Sequence, residues 1–493
     1  MRKLGWTRLA LLVALGIAGC GGGGGASGSG QGPAVTPPPA EPAAAITPVE
    51  GPARSFPADY SSFNFNLLRV SAHMDSPALA QGLRGLNPGG LRIPGGTPGE
   101  TWSWSRGGLR PSPYPGLPEG SAYSPEVQAI SGLTPTVVDR LLDQVGTPAL
   151  FTANVLTADL QENISDIRAF RALGQPISRV ELGNEEYFRF PNPRTRFPTA
   201  DDYAATVAAW APQLRSEVGN LSIAAIAPHA LRNVGVSYDD WMSALNRAGA
   251  WASLDGIAVH PYFAVEGLTP LASPANAEAF VSAMIRHDDD FLTRVAQRLP
   301  TGKAIWITEW NVVETQSNPV TGGSWIGGLG ALARAMNFLD HPAVNLSVFH
   351  VVIGERQWSA LVGSDGRAVD YSGGRPTVIA APPFALTAYG QTLALLGEAV
   401  RGGGTARRLS LGQDEASKPL FGYRFQGASG GPRSLYLNAT PGAVRVRASG
   451  RAVQLSGPHD ASGFSGAGWV RREFTVTGDA VDLPAFSVTL VVQ

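Results

Sequence analysis

The chain has 493 residues, 44% of them hydrophobic and 11 of them Trp, so it can bury a large core and is long enough for a barrel plus an accessory domain. A formal net charge of −1 argues against a basic face for nucleic acid or for an anionic membrane surface. A single cysteine excludes an internal disulfide.

At the N-terminus, Arg2, Lys3 and Arg8 surround an apolar stretch, Leu9 to Ile17, that is too short to span a bilayer as a helix. This predicts a signal segment over residues 1–19. It ends in Ile17-Ala18-Gly19-Cys20, and that cysteine is the only one in the chain. The run resembles the lipobox of bacterial lipoproteins, which implies cleavage before Cys20 and acylation of its thiol. An ordinary secretory signal is the alternative. The Gly21–Gly25 run and the Ser/Gly/Pro-rich segment after it cannot build a core, so residues 20–57 read as a flexible tether. The expectation is a protein held on the bacterial cell envelope by lipid, facing the periplasm or the exterior, with the membrane as a partner.

From about Ser55 short apolar runs alternate with longer amphipathic stretches, the pattern of βα units. Strands are predicted at Phe63–Val70, Gly90–Ile93, Ala149–Val155, Ser178–Leu182, Leu221–Ala227, Gly256–His260, Lys303–Thr308 and Val344–Val351. Helices are predicted at Ser76–Leu86, Thr136–Val145, Glu162–Leu173, Asp201–Val218, Asp239–Ala248, Ala275–Arg298, Gly327–Leu339 and Pro382–Leu396. Eight such units over residues 58–396 make a (β/α)8 TIM barrel. An open doubly wound sheet is disfavoured because the Gly95-Gly96 turn lacks G-x-G-x-x-G spacing. Residues 397–493 read as a C-terminal β-sandwich, with strands at Arg408–Leu411, Phe421–Phe425, Ser434–Asn438, Val444–Ala448, Ala452–Leu455, Arg472–Val476 and Phe486–Val492. Whether residues 42–57 add a strand to it is left open.

Catalytic groups of a barrel sit at the C-terminal ends of its strands. The fourth strand ends in Glu181-Leu182-Gly183-Asn184-Glu185-Glu186 and the seventh in Ile307-Thr308-Glu309-Trp310-Asn311. Alternation puts Ile305, Ile307 and Glu309 on one face, toward the barrel axis. Two carboxylates converging on one mouth suit cleavage of a glycosidic bond, where one protonates the departing oxygen and the other meets the oxocarbenium ion.

The segments Val180–Phe188 (VELGNEEYF) and Trp306–Asn311 (WITEWN) resemble the acid/base and nucleophile motifs of clan A glycoside hydrolases. Leu91–Trp104 (LRIPGGTPGETWSW) is similar to the second-strand segment of the α-L-arabinofuranosidases of that clan, and Val259–Phe263 (VHPYF) takes the place of their sixth-strand motif. The eighth-strand SVFHVV and the PPFALTAYGQ of the last helix also fit, over roughly residues 60–396. The resemblance implies a retaining hydrolase in which Glu185 is the acid/base and Glu309 the nucleophile. It implies further that Asn184 bonds the sugar 2-hydroxyl, that Arg92 and Tyr262 hold Glu309, and that His260 lines the same rim. Trp104, Trp310 and Trp358 are candidate sugar platforms, Trp310 the weakest because alternation turns it away from Glu309. A carbohydrate is the implied substrate.

The chain departs from the arabinofuranosidase pattern at Thr97 and Pro98, at Val259, and at Glu186-Tyr187-Phe188. The β-glucuronidase and heparanase branch shares ELGNE, so the sugar stays open. Glu186 reads as a rim or salt-bridge residue, and Glu181 and Glu314 as structural partners. No cofactor is implied, and scattered Asp and His show no metal-ligand spacing. A glycan-binding lipoprotein on an inactive barrel is the non-enzymatic alternative.

Overall fold

The computed structural model describes residues 44–110, 125–188, 196–232, 234–264, 267–313, 323–354, 359–370, 377–412, 419–427, 430–464 and 468–493, and residues 44–493 form one compact unit. Eight parallel strands close into a barrel: β1 (Ser61–Asn64), β2 (Leu91–Ile93), β3 (Ala149–Ala153), β4 (Arg179–Leu182), β5 (Ser222–Ile226), β6 (Gly256–Val259), β7 (Ala304–Trp310) and β8 (Val344–Phe349). Each pairs with its neighbours in sequence, and β8 returns to β1 through Ser347 to Phe349 against Ser61 to Phe63. The helices between and after them are α1 (Pro77–Gly85), α2 (Pro135–Val145), α3 (Leu160–Ala172), α4 (Ala200–Val218), α5 (Tyr238–Arg247), α6 (Pro274–Ala296), α7 (Trp325–Asn337) and α8 (Ala388–Val400). This is the TIM barrel that the sequence predicts.

Local chemistry sets the helix starts. The side chains of Ser76, Asp159, Thr199, Ser237, Ser273, Ser324 and Thr387 each accept a backbone N–H of the first turn. Thr199 and Asp202 complete a reciprocal capping box. The Thr387 cap also explains why the last helix starts six residues later than predicted, past Pro382 and Pro383. The first strand is shorter than predicted as well. Asn66 accepts from the Leu68 backbone N–H and turns the chain into the short 3-10 segments Leu67–Arg69 and Ser71–His73.

The C-terminal region is a β-sandwich built on a seven-stranded antiparallel sheet, in the order Val49–Phe56, Gly404–Ser410, Leu420–Gly427, Arg433–Asn438, Ser487–Val492, Arg451–Ser456 and Val470–Thr475. A two-stranded sheet, Val444–Arg447 with Ala480–Leu483, lies beside it, and Ile46 bridges to Val446. Residues 46–56 therefore belong to the sandwich, and the expected tether boundary at residue 57 falls too late. The sequence could not show this because Val49–Phe56, in which only Phe56 is buried, carries little apolar alternation.

Helices α7 and α8 pack between barrel and sandwich, which is why every side chain of Trp325–Asn337 is buried. Trp325 donates through Nε1 to the Phe486 carbonyl (2.8 Å) and stacks on Trp469 with ring centroids 5.2 Å apart. From the edge strand, Arg54 Nη1 donates to the carbonyls of Leu339 (2.6 Å) and His341 (2.9 Å), tying the sheet to the turn before β8. Among the described residues no helix is long and apolar enough to cross a membrane.

Candidate active site

The groups singled out at the strand ends converge on the C-terminal mouth of the barrel. Arg92, at the centre of β2 and 1% exposed, is the hub. Its Nε donates to Glu181 Oε2 (2.6 Å), Nη1 to Glu309 Oε1 (2.8 Å) and to Asn64 Oδ1 (3.0 Å), and Nη2 to Asn184 Oδ1 (2.9 Å). One guanidinium thus ties β1, β2, β4 and β7 together, which its fixed fork of donors permits.

Glu309 is 5% exposed. Tyr262 donates to its Oε2 (2.8 Å), Asn64 Nδ2 approaches Oε1 (3.4 Å), and His350 Nδ1 lies 3.5 Å from Oε2. Burial alone would raise the carboxyl's pKa. The charges of His350, His260 and Arg92 and the Tyr262 hydrogen bond outweigh it and hold the group down at about 2. Burial itself pushes the His350 imidazole below its ordinary range, so Arg92 is the partner that keeps its charge at every working pH. Burial and the neighbouring carboxylates push the Tyr262 phenol well up, and it remains a donor. Tyr262 is held in place by a small parallel pairing of Phe263–Ala264 with Val312–Val313 just above the barrel. Beneath it Arg334, 0% exposed, pairs with Asp288 (2.8 and 2.7 Å) and donates to the carbonyls of Asn311 (2.7 Å) and Pro261.

Glu185 follows β4 in a backbone conformation with φ +26°, rare for a residue other than glycine, so its position is imposed by its surroundings. Its side chain is 22% exposed, against 6% for Glu309. His260 Nδ1 lies 2.7 Å from Glu185 Oε1, and Tyr187 donates to the same oxygen at 3.4 Å. The proton arrangement can be followed along a chain. Glu181 can only accept, so Thr308 Oγ1 donates to it (2.8 Å) and in turn accepts from His260 Nε2 (3.1 Å). His260 Nδ1 is left facing Glu185 Oε1 across 2.7 Å. Burial lowers the His260 pKa, but the charge of Glu309 and the hydrogen bond and charge of Glu185 outweigh it and hold the imidazole above its ordinary value.

One oxygen of Glu185, one oxygen of Glu309 and a nitrogen of His260 all lie within 4.8 Å of one another. Such a trio could also hold a cation, but two of its donors are the carboxylates that would do the chemistry.

No family model matches the chain, and no curated protein matches its sequence. Solved structures do match. A family 51 α-L-arabinofuranosidase from Bifidobacterium longum has a TM-score of 0.65 at 13% identity, over 92% of this chain and 100% of its own. The family 51 arabinofuranosidase from Xanthomonas axonopodis pv. citri gives 0.63 at 17% identity, over 91% and 100%. A 4-O-α-L-rhamnosyl-β-D-glucuronidase from Fusarium oxysporum 12S gives 0.62 at 16%, over 91% and 100%. The chain shares the fold of these glycoside hydrolase structures. Barrel and β-sandwich both fall within the match to the family 51 structures, since it runs over nearly the whole of each chain.

Within this fold Arg92, Asn184, Glu185, His260, Tyr262 and Glu309 come together, whereas two other expectations are corrected. Trp104 is not an open platform. It is 3% exposed and packs against Phe170 (4.7 Å), Trp102 (5.6 Å) and Phe151 (6.1 Å) as a core side chain. Glu186 is neither on the rim nor in a salt bridge to a described residue, being 0% exposed. Trp310 turns into the core against Phe349 and Phe338, as alternation requires. Trp358, Glu314 and Cys20 lie outside the described residues. The sequence reading missed Asn64, Thr308, Tyr187 and His350. Asn64 and His350 were findable by the rule that found the acids, since each is a polar residue at the end of an apolar barrel strand.

Proposed function

We propose that the protein is a retaining O-glycoside hydrolase with Glu185 as acid/base and Glu309 as nucleophile. The observation that carries this reading is the approach of the two carboxyls to within 4.8 Å, oxygen to oxygen, at the barrel mouth. Retaining enzymes hold their carboxyls about 5–5.5 Å apart, and inverting ones leave about 6.5–9.5 Å for a water. In the first half-reaction Glu185 gives its proton to the glycosidic oxygen while Glu309 attacks the anomeric carbon, releasing the alcohol and leaving a glycosyl ester. In the second, water attacks that carbon, Glu185 takes a water proton, and Glu309 leaves as carboxylate. The unequal exposure of the two acids suits these roles, because the acid/base must meet water and the nucleophile must not.

An α-L-arabinofuranoside is the preferred substrate. The sequence resemblance favours it, and two of the similar structures cited above are arabinofuranosidases. A β-glucuronide is the second reading, supported by the similarity to the rhamnosyl-glucuronidase. Against it, four of the five N–H groups of Arg92, the cation at the centre of the site, are committed to protein acceptors, which leaves little for a uronate carboxylate. We further propose the lipid-anchored envelope location, on the strength of Arg2 to Cys20 alone.

A panel of aryl glycosides tests the activity: arabinofuranoside, glucuronide, xyloside and glucoside. If none is cleaved while polysaccharide still binds, the protein is a glycan-binding module and the enzyme reading fails. With Glu185→Ala and an activated aryl leaving group, azide should give a glycosyl azide of retained configuration; an inverted product refutes the double displacement. Loss of membrane fractionation in Cys20→Ser tests the anchor.

A further inference from the structure

Two buried acids beside the catalytic pair have no part in the double displacement. Glu100, 1% exposed, ends the one-turn helix Thr97–Glu100 after β2, and Glu186, 0% exposed, follows Glu185. Both grip the same residue. Glu100 Oε1 accepts from Asn184 Nδ2 (3.4 Å), Glu186 Oε1 accepts from the Asn184 backbone N–H (2.9 Å), and Arg92 Nη2 donates to Asn184 Oδ1 (2.9 Å). The remaining oxygen of each acid, Oε2, is buried without a hydrogen-bond partner among the described residues.

An ionised carboxylate left half bonded and away from water costs several kcal/mol, on the order of a lost buried ion-pair partner. A neutral carboxylic acid avoids most of that cost, with its carbonyl oxygen toward Asn184 and its hydroxyl on the unpartnered side. The backbone makes room for this. Gly183 has φ +100°, and a Cβ on it would stand 2.4 Å from the Glu186 carboxyl oxygens. We propose that Glu100 and Glu186 are positioning residues that hold Asn184 as neutral carboxylic acids, Glu100 through its side-chain amide and Glu186 through its backbone N–H. Burial first, and then the charge of Glu185 for Glu100 and of Glu100 for Glu186, pushes both groups well above the usual carboxylate range.

The role in turnover rests on the reading of Asn184 as the contact to the sugar 2-hydroxyl. Glu100 fixes the rotation of that amide, and Glu186 fixes where the chain leaves β4 for Glu185. The arrangement is the opposite of Glu309, an acid of similar burial that Arg92 keeps ionised.

Infrared spectra and kinetics of the full protein test this together. At neutral pH the wild type should show carboxylic-acid C=O bands that disappear singly in Glu100→Gln and Glu186→Gln. On the aryl glycoside that the wild type cleaves best, each Gln variant should retain at least about a third of kcat, because the amide oxygen still accepts. Glu100→Ala should lose tenfold or more in kcat with KM within about twofold, and should cause no further loss in an Asn184→Ala background. Missing acid bands, Gln variants as damaged as Ala, or full additivity with Asn184→Ala would each overturn the proposal. If the wild type cleaves no glycoside, the hydrolase reading fails while the infrared bands still decide the state of the two acids.

Discussion

Arg92→Met is the sharpest perturbation the site offers. It strips four hydrogen bonds at once and leaves Glu181 and Glu309, 3% and 5% exposed, as buried carboxylates facing an apolar side chain. Removing one partner of such a cluster costs about 3–5 kcal/mol of stability. The Glu309 carboxyl gives a second handle. Its displacement from 4.5 to about 2 corresponds to ~3 kcal/mol favouring the ionised form. His350 and His260 supply the larger parts of that when charged, and Arg92 and the Tyr262 hydrogen bond supply the rest; Arg92 is the one whose charge does not depend on pH. The acid limb of the kcat/KM profile should therefore move up by about one pH unit or more in the variant. The sign for stability follows from the depressed folded pKa. The contribution of Glu309 is fully present above its unfolded pKa of about 4.3 and is lost as pH falls toward its folded value. Denaturant titrations should then show the gap between wild type and Arg92→Met widest near neutrality and narrowing below about pH 4. Arg92→Lys should hold the acid limb nearer to wild type while kcat falls about tenfold or more, since an ammonium cannot span four acceptors. An unmoved acid limb in Arg92→Met, or a stability gap unchanged between pH 7 and pH 3, would refute the assignment of Arg92 as the group that keeps Glu309 ionised.

Tyr262→Phe removes a single charge-assisted hydrogen bond to Glu309, worth about 1.5–3 kcal/mol, so kcat should fall about 10- to 100-fold in steady-state assays with the melting temperature little changed. Arg334→Met breaks a fully buried pair with Asp288 and frees the carbonyls of Asn311 and Pro261; denaturant unfolding should show a loss of about 3–5 kcal/mol. Gly183→Ala forces a Cβ into the Glu186 carboxyl at a positive φ, and kcat should drop at least tenfold while circular dichroism shows the fold intact.

Much of the barrel was legible because each of its units carries its own local signal. Apolar strand runs and capped amphipathic helices are written in windows of a few residues, and boundaries such as Pro135–Val145 fell within one or two positions of the predicted ones. What failed was structure decided at long range. Val49–Phe56 is a strand because Gly404–Ser410 offers it an edge about 350 residues away, and Ala480–Leu483, which was passed over, is a strand through its pairing with the non-adjacent Val444–Arg447. The site shows the same division. Glu185 and Glu309 could be read from their place after apolar strands. That Trp104 packs as core and Glu186 lies buried beside a second acid depends on neighbours from other units, Phe151 and Phe170 for the one and Glu100 for the other.

Five buried or half-buried acids crowd this mouth: Glu100, Glu181, Glu185, Glu186 and Glu309. Like charges so close cannot all ionise, so the environment must sort them. Arg92 takes Glu181 and Glu309 as its two carboxylate partners, one that also holds Thr308 and through it His260, and one the proposed nucleophile. Glu100 and Glu186 are in reach of amide N–H groups of Asn184 but have no ion-pair partner among the described residues, which favours their neutral forms. Glu185, the most exposed, sits between these sets with His260 as its 2.7 Å partner. The ionised form of Glu309 and the neutral forms proposed for Glu100 and Glu186 thus follow in part from where a single guanidinium can reach, and from which acids it leaves alone.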